Sequence, residues 1–459
     1  MPAEGGIVAA ITKRGGAAPA WGIEPVPDGL RRLSGLDFAV LWGDLAAGLL
    51  VVVAGALLVP GLGLPLALLA IVVGSALGCI PLALVGVAGA REGVPTMRLL
   101  RPVLGTRGSL APTALNVAQL IGWTSFELWA MALIAARVTG PILGVESFWI
   151  WLAVATVICL LLSLGGPVLV VRAWMERFGV WVIAGVAAWI TYRILAEADL
   201  GALWSRPGKG GFPSFWVGVD LVIALPVSWI PLVADYSRFA RRGVSSAAGT
   251  YVGYLVANVW FYAIGALLVL TAGVAPGPAS VGEGILTLAG GAVVLLALLV
   301  GETDEAFADV YSAAVSVQNA APRLRQRTLV VAVSAVGAAL AAWLFGQPDE
   351  GVATYESFLF LLGSIFVPLA GVFVADYFLL RNRAEAGGVR LGALAGWVLG
   401  FAAFQLVFPT GPGWWTDLVA GVPGVPLGGG DLSASVVAFG VAALATLALG
   451  RLRRPAAAR

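Results

Sequence analysis

Gly301-Glu-Thr-Asp-Glu-Ala-Phe-Ala-Asp-Val-Tyr311 is the stretch on which the reading of this chain turns. An apolar run over 285–300 precedes it. A small uncharged segment over 312–319 follows, and then the basic cluster Arg323, Arg325 and Arg327. Four carboxylates, Glu302, Asp304, Glu305 and Asp309, thus fall in the middle of what otherwise reads as a membrane-spanning helix. Each costs about 2.5–3.5 kcal/mol at the centre of an inserting helix. A lipid-facing helix does not carry that load, so the acids point to an enclosed cavity for a cation, a proton, a polar substrate or several of these.

The rest of the chain fits that reading. Of its 459 residues, 60% are hydrophobic and only 11% charged, where a soluble domain carries about a quarter charged. The composition is that of an all-α polytopic membrane protein. With no histidine, imidazole is excluded as a proton shuttle or metal ligand. Cys79 and Cys159 both sit in apolar runs, where buried free thiols are expected. No Gly-x-x-x-x-Gly-Lys-Ser/Thr occurs, which excludes a P-loop ATP-driven pump. Residues 1–30 lack the apolar core of a signal peptide and read as a flexible cytoplasmic tail.

Apolar segments of spanning length fall at 37–59, 64–90, 110–137, 148–168, 173–195, 214–237, 249–273, 290–319, 328–346, 354–379, 391–409 and 431–450. With the N-terminus inside, this division puts all but Arg137, Arg193, Arg206 and Lys209 of the 27 lysines and arginines on the cytoplasmic side. Treating 301–311 as an extramembrane loop would put Arg323, Arg325 and Arg327 on the wrong side, so the acidic stretch lies within the membrane. Both termini are then cytoplasmic, and the protein belongs in the plasma (inner) membrane.

Two spans carry helix breakers. Pro226 and Pro231 interrupt the sixth. Gly43, Gly48 and Gly55 loosen the first, with Asp44 beside them. Freed backbone at membrane depth is tolerated where it lines a cavity. Breaks five spans apart are what an inverted five-plus-five repeat predicts. Domains follow: the tail 1–30, a ten-helix transport core over 31–380, and 381–459 as two additional helices with a short tail.

Several motifs carry a family resemblance: Gly86-Val-Ala-Gly-Ala-Arg-Glu-Gly-Val-Pro-Thr-Met97, Gly105-Thr-Arg-Gly108, Asn116-Val-Ala-Gln-Leu-Ile-Gly-Trp123, Ala234-Asp-Tyr-Ser-Arg-Phe-Ala-Arg-Arg242, Gly363-Ser-Ile-Phe-Val-Pro-Leu-Ala-Gly371 and Val374-Ala-Asp-Tyr-Phe378. In order and spacing the chain resembles the nucleobase–cation symporter-1 family, the purine–cytosine permeases and their hydantoin, allantoin and hydroxymethylpyrimidine relatives. The resemblance implies a LeuT-type inverted repeat with broken helices 1 and 6 that moves substrate with Na⁺ or H⁺ by alternating access. It places the base-stacking tryptophan at Trp123 and a hydrogen-bonding position at Glu127. The ion-site carbonyls fall on Asp44, Ala47 and Val300, and the ion-site hydroxyl positions on Thr303 and Asp304. Gly48 and Asp309 come beside the substrate. Where relatives carry a sixth-span aromatic this chain has Pro226, so Trp229, next to Ser228, or Trp216 would have to complete the sandwich. Asp304 in place of a hydroxyl, joined by Asp44, leaves both Na⁺ and H⁺ open as coupling ion.

Read as chemistry, Trp123 and Glu127 lie four apart and share a helix face. An indole face and a carboxylate that accepts two in-plane N–H groups suit a ring bearing an amino group: cytosine, an aminopurine or a hydroxymethyl-aminopyrimidine. At about 100° per residue, Glu302, Glu305 and Asp309 fall within about 60° of one another, with Thr303 and Asp304 on another side. Three carboxyls that close do not all ionise cheaply, so Glu302 and Glu305 are the expected proton-coupling groups. The plainer readings are a helix N-cap for Asp44, core packing for Trp123 and a salt-bridged structural cluster for the acids. The expected partners are a nucleobase-like small molecule and the bilayer, with no nucleic acid, no obligate protein partner, and no cofactor or metal beyond the coupling ion. An intramembrane Mg²⁺-dependent enzyme of prenyl or lipid diphosphates, using Asp304 and Asp309, is the alternative; it lacks a second acidic motif.

Overall fold

The first span is laid down as two helices. Ser34 begins α1 (Gly35–Asp44) with a capping box: its hydroxyl accepts the Asp37 N–H at 3.3 Å while the Asp37 carboxylate accepts the Ser34 N–H at 2.5 Å. The chain leaves the helix after Asp44 and resumes as α2 (Leu49–Ala56), bent by 60° from α1. The computed structural model describes residues 22–165, 178–346, 351–385 and 387–452. All of its regular elements are helical, with one isolated bridge between Leu33 and Ala240.

In chain order there follow α3 (Leu64–Glu92), α4 (Thr96–Leu104), α5 (Leu110–Leu143), α6 (Phe148–Gly165), α7 (Val180–Glu197) and the short α8 (Leu200–Ser205). The sixth span is α9 (Phe215–Ser228) and α10 (Val233–Ser237). Then come α11 (Gly243–Ala272), α12 (Pro278–Thr287), α13 (Gly291–Ala320), α14 (Gln326–Phe345) and α15 (Gly351–Phe373), which a π-helical stretch extends over Val374–Leu380. Helices α16 (Leu391–Val407), α17 (Gly413–Ala420) and α18 (Ala434–Leu452) close the chain.

Each anticipated span coincides with a helix or helix pair. Among the described residues eight helices are long and apolar enough to cross a membrane, and the bent α1–α2 pair makes a ninth. The remaining three are α13, with its acids, and the shorter α16 and α18. The connection expected to hold Arg172 and Arg177, and the tail with Lys13 and Arg14, lie outside the described residues.

Of the N-terminal segment 1–30, residues 1–21 lie outside the described residues, and from Gly22 onward the chain is docked on the helices rather than free. Val26 is buried and donates its N–H to the Gly93 carbonyl at 2.9 Å. Arg98 and Arg238 donate to the carbonyls of Ile23 and Gly22 at 2.8 and 2.6 Å. An arginine can satisfy carbonyls on an otherwise unstructured segment, and sequence periodicity does not register that contact.

Two groups of helices make the core. The first span packs along α11, and α9 packs along α3. Spans one and two therefore relate to seven and six as an inverted repeat requires. The second group runs α13 along α5, with α6 and α14 on its flanks. Glycines bring α11 against the first span at backbone contact: a Cβ at Gly253 would meet the Ala39 carbonyl, and one at Gly265 the Val52 carbonyl. The C-terminal helices are fastened at both ends. Buried Asp220 of α9 accepts from the Ser433 hydroxyl (2.6 Å) and the Ala434 and Ser435 N–H groups (2.8 and 3.0 Å) at the start of α18. Buried Asp376 takes a two-pronged ion pair from Arg390 at 2.8 and 2.9 Å.

Candidate functional site: an acid-lined break in the first span

The acids of α13 turn inward. Glu302, Asp304, Glu305 and Asp309, together with Asp44 and Glu127, are between 0 and 5% exposed. Gly48 ends the break with extended backbone (φ −104°, ψ 169°). The N–H of Leu49, first residue of α2, donates to the Glu302 carboxylate. That carboxylate is therefore held by a helix N-terminus, where free N–H groups and the helix dipole favour negative charge. A Cβ on Gly48 would run into the carboxylate oxygens of both Glu302 and Glu305, so a side chain here would have to displace those acids from the break. The sequence placed Gly48 beside a substrate; its nearest neighbours here are these two acids.

The other acids pair across helices. Asp44 faces Asp304, and Glu127 on α5 faces Asp309 on α13. Asp44 is the last residue of α1, and Ser34 is that helix's cap, so the N-cap reading of Asp44 is overturned. A salt-bridged cluster is not formed either: none of the described ion pairs involves Asp44, Glu127, Glu302, Glu305 or Asp309. Among the described residues no group of three or more Asp, Glu or Cys converges closely enough to hold a metal ion. Thr303 donates its hydroxyl hydrogen to the Val300 carbonyl at 2.6 Å, within α13. The Thr303 oxygen keeps its lone pairs. Ala47 donates its N–H to the Asp44 carbonyl at 3.0 Å, closing a turn inside the break.

Trp123 is buried, with ring contacts edge-on to Tyr355 (6.0 Å) and Phe358 (5.2 Å). Its indole N–H has no hydrogen-bond partner among the described residues. Tyr355 reaches from α15 to donate its hydroxyl to the Leu50 carbonyl at 2.9 Å, and it lies close to Glu302, Glu305 and Glu127. Sequence reasoning missed Tyr355. It sits near the start of the tenth span beside Thr354 and Glu356, and nothing in that local sequence points to a partner on the first span.

The sixth-span break is of another kind. Residues 229–232 leave the helix, yet Phe215–Ser237 runs on as one span without a bend like that of α1–α2. The Ser228 hydroxyl donates back to the Leu225 carbonyl at 2.7 Å, so it is spent within its helix. The Ser228 carbonyl instead accepts from the Gln119 amide at 2.8 Å. Gln119 also donates to Asn116, which donates to Ser316 of α13, both at 2.8 Å. Gln119 lies one turn before Trp123 on the same face, inside the Asn116–Trp123 motif.

Pro226 packs onto Gly78 of α3. Of its two suggested substitutes, Trp229 stands at the break, edge-on to fully buried Trp42 at 5.8 Å. Trp216 sits in the first turn of α9 against Phe215, about three helical turns from the break. Trp42, two residues before Asp44, was also missed. At the arginine-rich end, buried Arg238 donates to the Asp235 carbonyl (3.1 Å) and the Tyr311 hydroxyl (2.8 Å). Asp235 in turn accepts the Thr96 N–H at 3.1 Å. The 234–242 motif thus ties α10 to α4 and α13.

An all-helical bundle with a sharply broken first span and buried charge beside the break defines a membrane transporter. Comparison with known proteins agrees. Residues 25–387 match the family described as permease for cytosine/purines, uracil, thiamine, allantoin, and the chain belongs to that family. It is similar to the hydantoin permease of Microbacterium maritypicum, 25% identical over 376 residues, covering 77% of this chain and 74% of the relative. It is also similar to the cytosine permease of Escherichia coli strain K12, 24% identical over 332 residues, with 69% and 71% covered. Among solved structures it superimposes on Mhp1, a nucleobase-cation-symport-1 family transporter in a closed conformation with bromovinylhydantoin bound, at TM-score 0.78 and 22% identity over 95% of each chain. That likeness shows the LeuT-type fold that the family resemblance implies. The protein is a multi-pass membrane permease, and the reading as an intramembrane diphosphate enzyme is set aside on the family match.

Proposed function

We propose that the protein is a secondary active symporter that carries a planar, amino-bearing heterocycle across the plasma membrane together with Na⁺ or H⁺. The observation that carries this reading is the meeting of Trp123, Glu127 and Asp309 with the broken first span at one buried place. Trp123 offers an indole face, and Glu127 and Asp309 offer in-plane acceptors to ring N–H groups. Cytosine, aminopurines and hydroxymethyl-aminopyrimidine are the substrates of that chemistry. The hydantoin and cytosine permeases it resembles support heterocycle transport.

The coupling cation takes Asp44 and Asp304, with the Thr303 oxygen and the carbonyls of Ala47 and Val300 completing an oxygen set suited to a hard ion. Glu302 and Glu305 flank Gly48 and are assigned to proton coupling. Trp229 takes the aromatic role that Pro226 does not fill, with the Ser228 carbonyl beside it. Twelve crossings with both termini inside complete the arrangement, in line with the sorting of the 27 basic residues.

Uptake of radiolabelled cytosine, adenine and hydroxymethyl-aminopyrimidine into proteoliposomes tests this, with sodium and proton gradients imposed separately. Accumulation that follows one of the two gradients is the expected result. Uptake indifferent to both, or no uptake of any of the three bases, overturns it.

A further inference from the structure

Three connections that the twelve-crossing arrangement assigns to the outside meet in the structure. They are the 57–63 link from α2 to α3, the 206–214 strap from α8 to α9, and Gly430 ahead of α18. Lys209 and Gly210 donate their N–H groups to the carbonyls of Pro60 and Gly61 at 2.8 and 3.1 Å. The Ser214 hydroxyl donates to the Gly430 carbonyl at 2.8 Å. A Cβ at Gly208 would strike the Gly61 carbonyl, and one at Gly61 the Phe212 carbonyl. The strap is thus locked to the first connection through its backbone, and neither of its basic side chains is used in holding it.

Those side chains are unusual for this side of the protein, where the distribution of lysine and arginine disfavours them. Of the four basic residues assigned to it, Arg137 pairs with Glu283 and Arg193 with Glu197. Arg206 and Lys209 make no ion pair and no side-chain hydrogen bond among the described residues. They line two adjoining cavities. One, of about 570 Å³, is bounded by Arg206, Trp204 and Leu66; the other, of about 400 Å³, by Arg206, Lys209 and Leu203. Trp204 and Leu66 are 60% and 50% exposed.

We propose that this cleft holds the phosphodiester of an anionic phospholipid at the outer face of the membrane. The Arg206 guanidinium matches two phosphate oxygens, and the Lys209 ammonium adds a point charge. Trp204 and Leu66 supply an apolar wall for the start of an acyl chain, and tryptophan is the residue that concentrates at this boundary. A free phosphate would use the two cations and leave that wall uncovered; a lipid uses both. Because the strap is bonded to Pro60 and Gly61, just beyond α2, a lipid seated here bears on the outer end of the broken first span.

The outer placement rests on the proposed crossing arrangement, but binding is read without transport, so a failure of uptake and a failure of this site are distinguishable. The full-length protein is placed in nanodiscs of phosphatidylcholine containing a small share of lipid with brominated chains, either phosphatidylglycerol or phosphatidylcholine. Quenching of tryptophan fluorescence reports which lipid lies against the protein. Brominated phosphatidylglycerol is expected to quench at about fivefold lower share than brominated phosphatidylcholine, the size given by two exposed ion pairs. That excess should vanish in Trp204→Phe, which locates it, and shrink to within about twofold in the Arg206→Gln, Lys209→Gln variant, which assigns it to charge. All three side chains are exposed, so the variants keep the fold. Equal quenching by the two lipids in wild type, or an excess unchanged in either variant, overturns the proposal. Loss of the excess on adding inorganic phosphate would make the site one for free phosphate and overturn the lipid assignment.

Discussion

The break in the first span and the break in the sixth differ in what fills them. At the first, the helix turns by 60° and the freed N–H of Leu49 meets a carboxylate from another helix. Asp44 stands on one side of it and the Glu302–Glu305 pair on the other. At the sixth, the span runs on, its turn is closed by local bonds such as Val233 N–H to the Trp229 carbonyl at 2.9 Å, and a neutral amide from Gln119 satisfies the Ser228 carbonyl. The neighbours there are rings: Trp229, Trp42 and Tyr236. Glycine and proline interrupt helices by different means. Glycine permits a turn and leaves its N–H groups free to be used; proline removes one donor and leaves a carbonyl. An exposed N–H collects anions and a lone carbonyl collects donors, so the first break gathers charge and the second gathers amides and rings.

Gly48→Leu is the harshest challenge to this contrast. A side chain there strikes the Glu302 and Glu305 carboxylates, and uptake should fall about a hundredfold or more, the range expected when binding groups are displaced by an ångström. Initial rates in proteoliposomes at matched protein content decide it. Retention of more than a tenth of wild-type rate would mean that the first break is not the seat of coupling.

Next in size is Glu127→Ala. Removing a charged partner from an N–H donor costs about 1.5–3 kcal/mol, or roughly 10- to 150-fold in affinity for amino-bearing rings. Binding of cytosine should suffer and that of uracil far less, since uracil lacks the ring amino group. Equal binding of both bases to wild type would count against the assignment.

The Glu302→Gln, Glu305→Gln pair sharpens the role of α13. Expected is an uptake rate reduced about tenfold with a flattened pH profile; an unchanged profile removes these residues from proton coupling. At the sixth break the effects should be smaller and of another sort. Gln119→Leu strips the Ser228 carbonyl of its donor and should cost about 1–3 kcal/mol of stability, read as a lower melting temperature in nanodiscs. Ser228→Ala should change uptake by less than about twofold, since its hydroxyl bonds only within α9.

Much of the fold was legible because its strongest signals are local. Apolar runs of spanning length mark the helices, and breakers five spans apart mark the repeat. The four acids of 301–311 were legible as buried because no single span can afford them in lipid. What escaped lies between helices. Nothing in the sequence shows that Tyr355 reaches the Leu50 carbonyl, that Trp42 meets Trp229, or that Glu302 and Glu305 lie against Gly48. The docked segment from Gly22 escaped for the same reason: its anchors, Arg98 and Arg238, are distant in the chain.

By itself the sequence determined that this is a polytopic membrane protein with a polar centre on its eighth span, because the cost of charge in lipid is set residue by residue. Only the tertiary structure decided which partner each acid meets: α2 for Glu302, Asp44 for Asp304, Glu127 for Asp309. Those pairings depend on how helices far apart in the chain rotate and cross, and a helix's own residues specify its faces but not the faces it is set against.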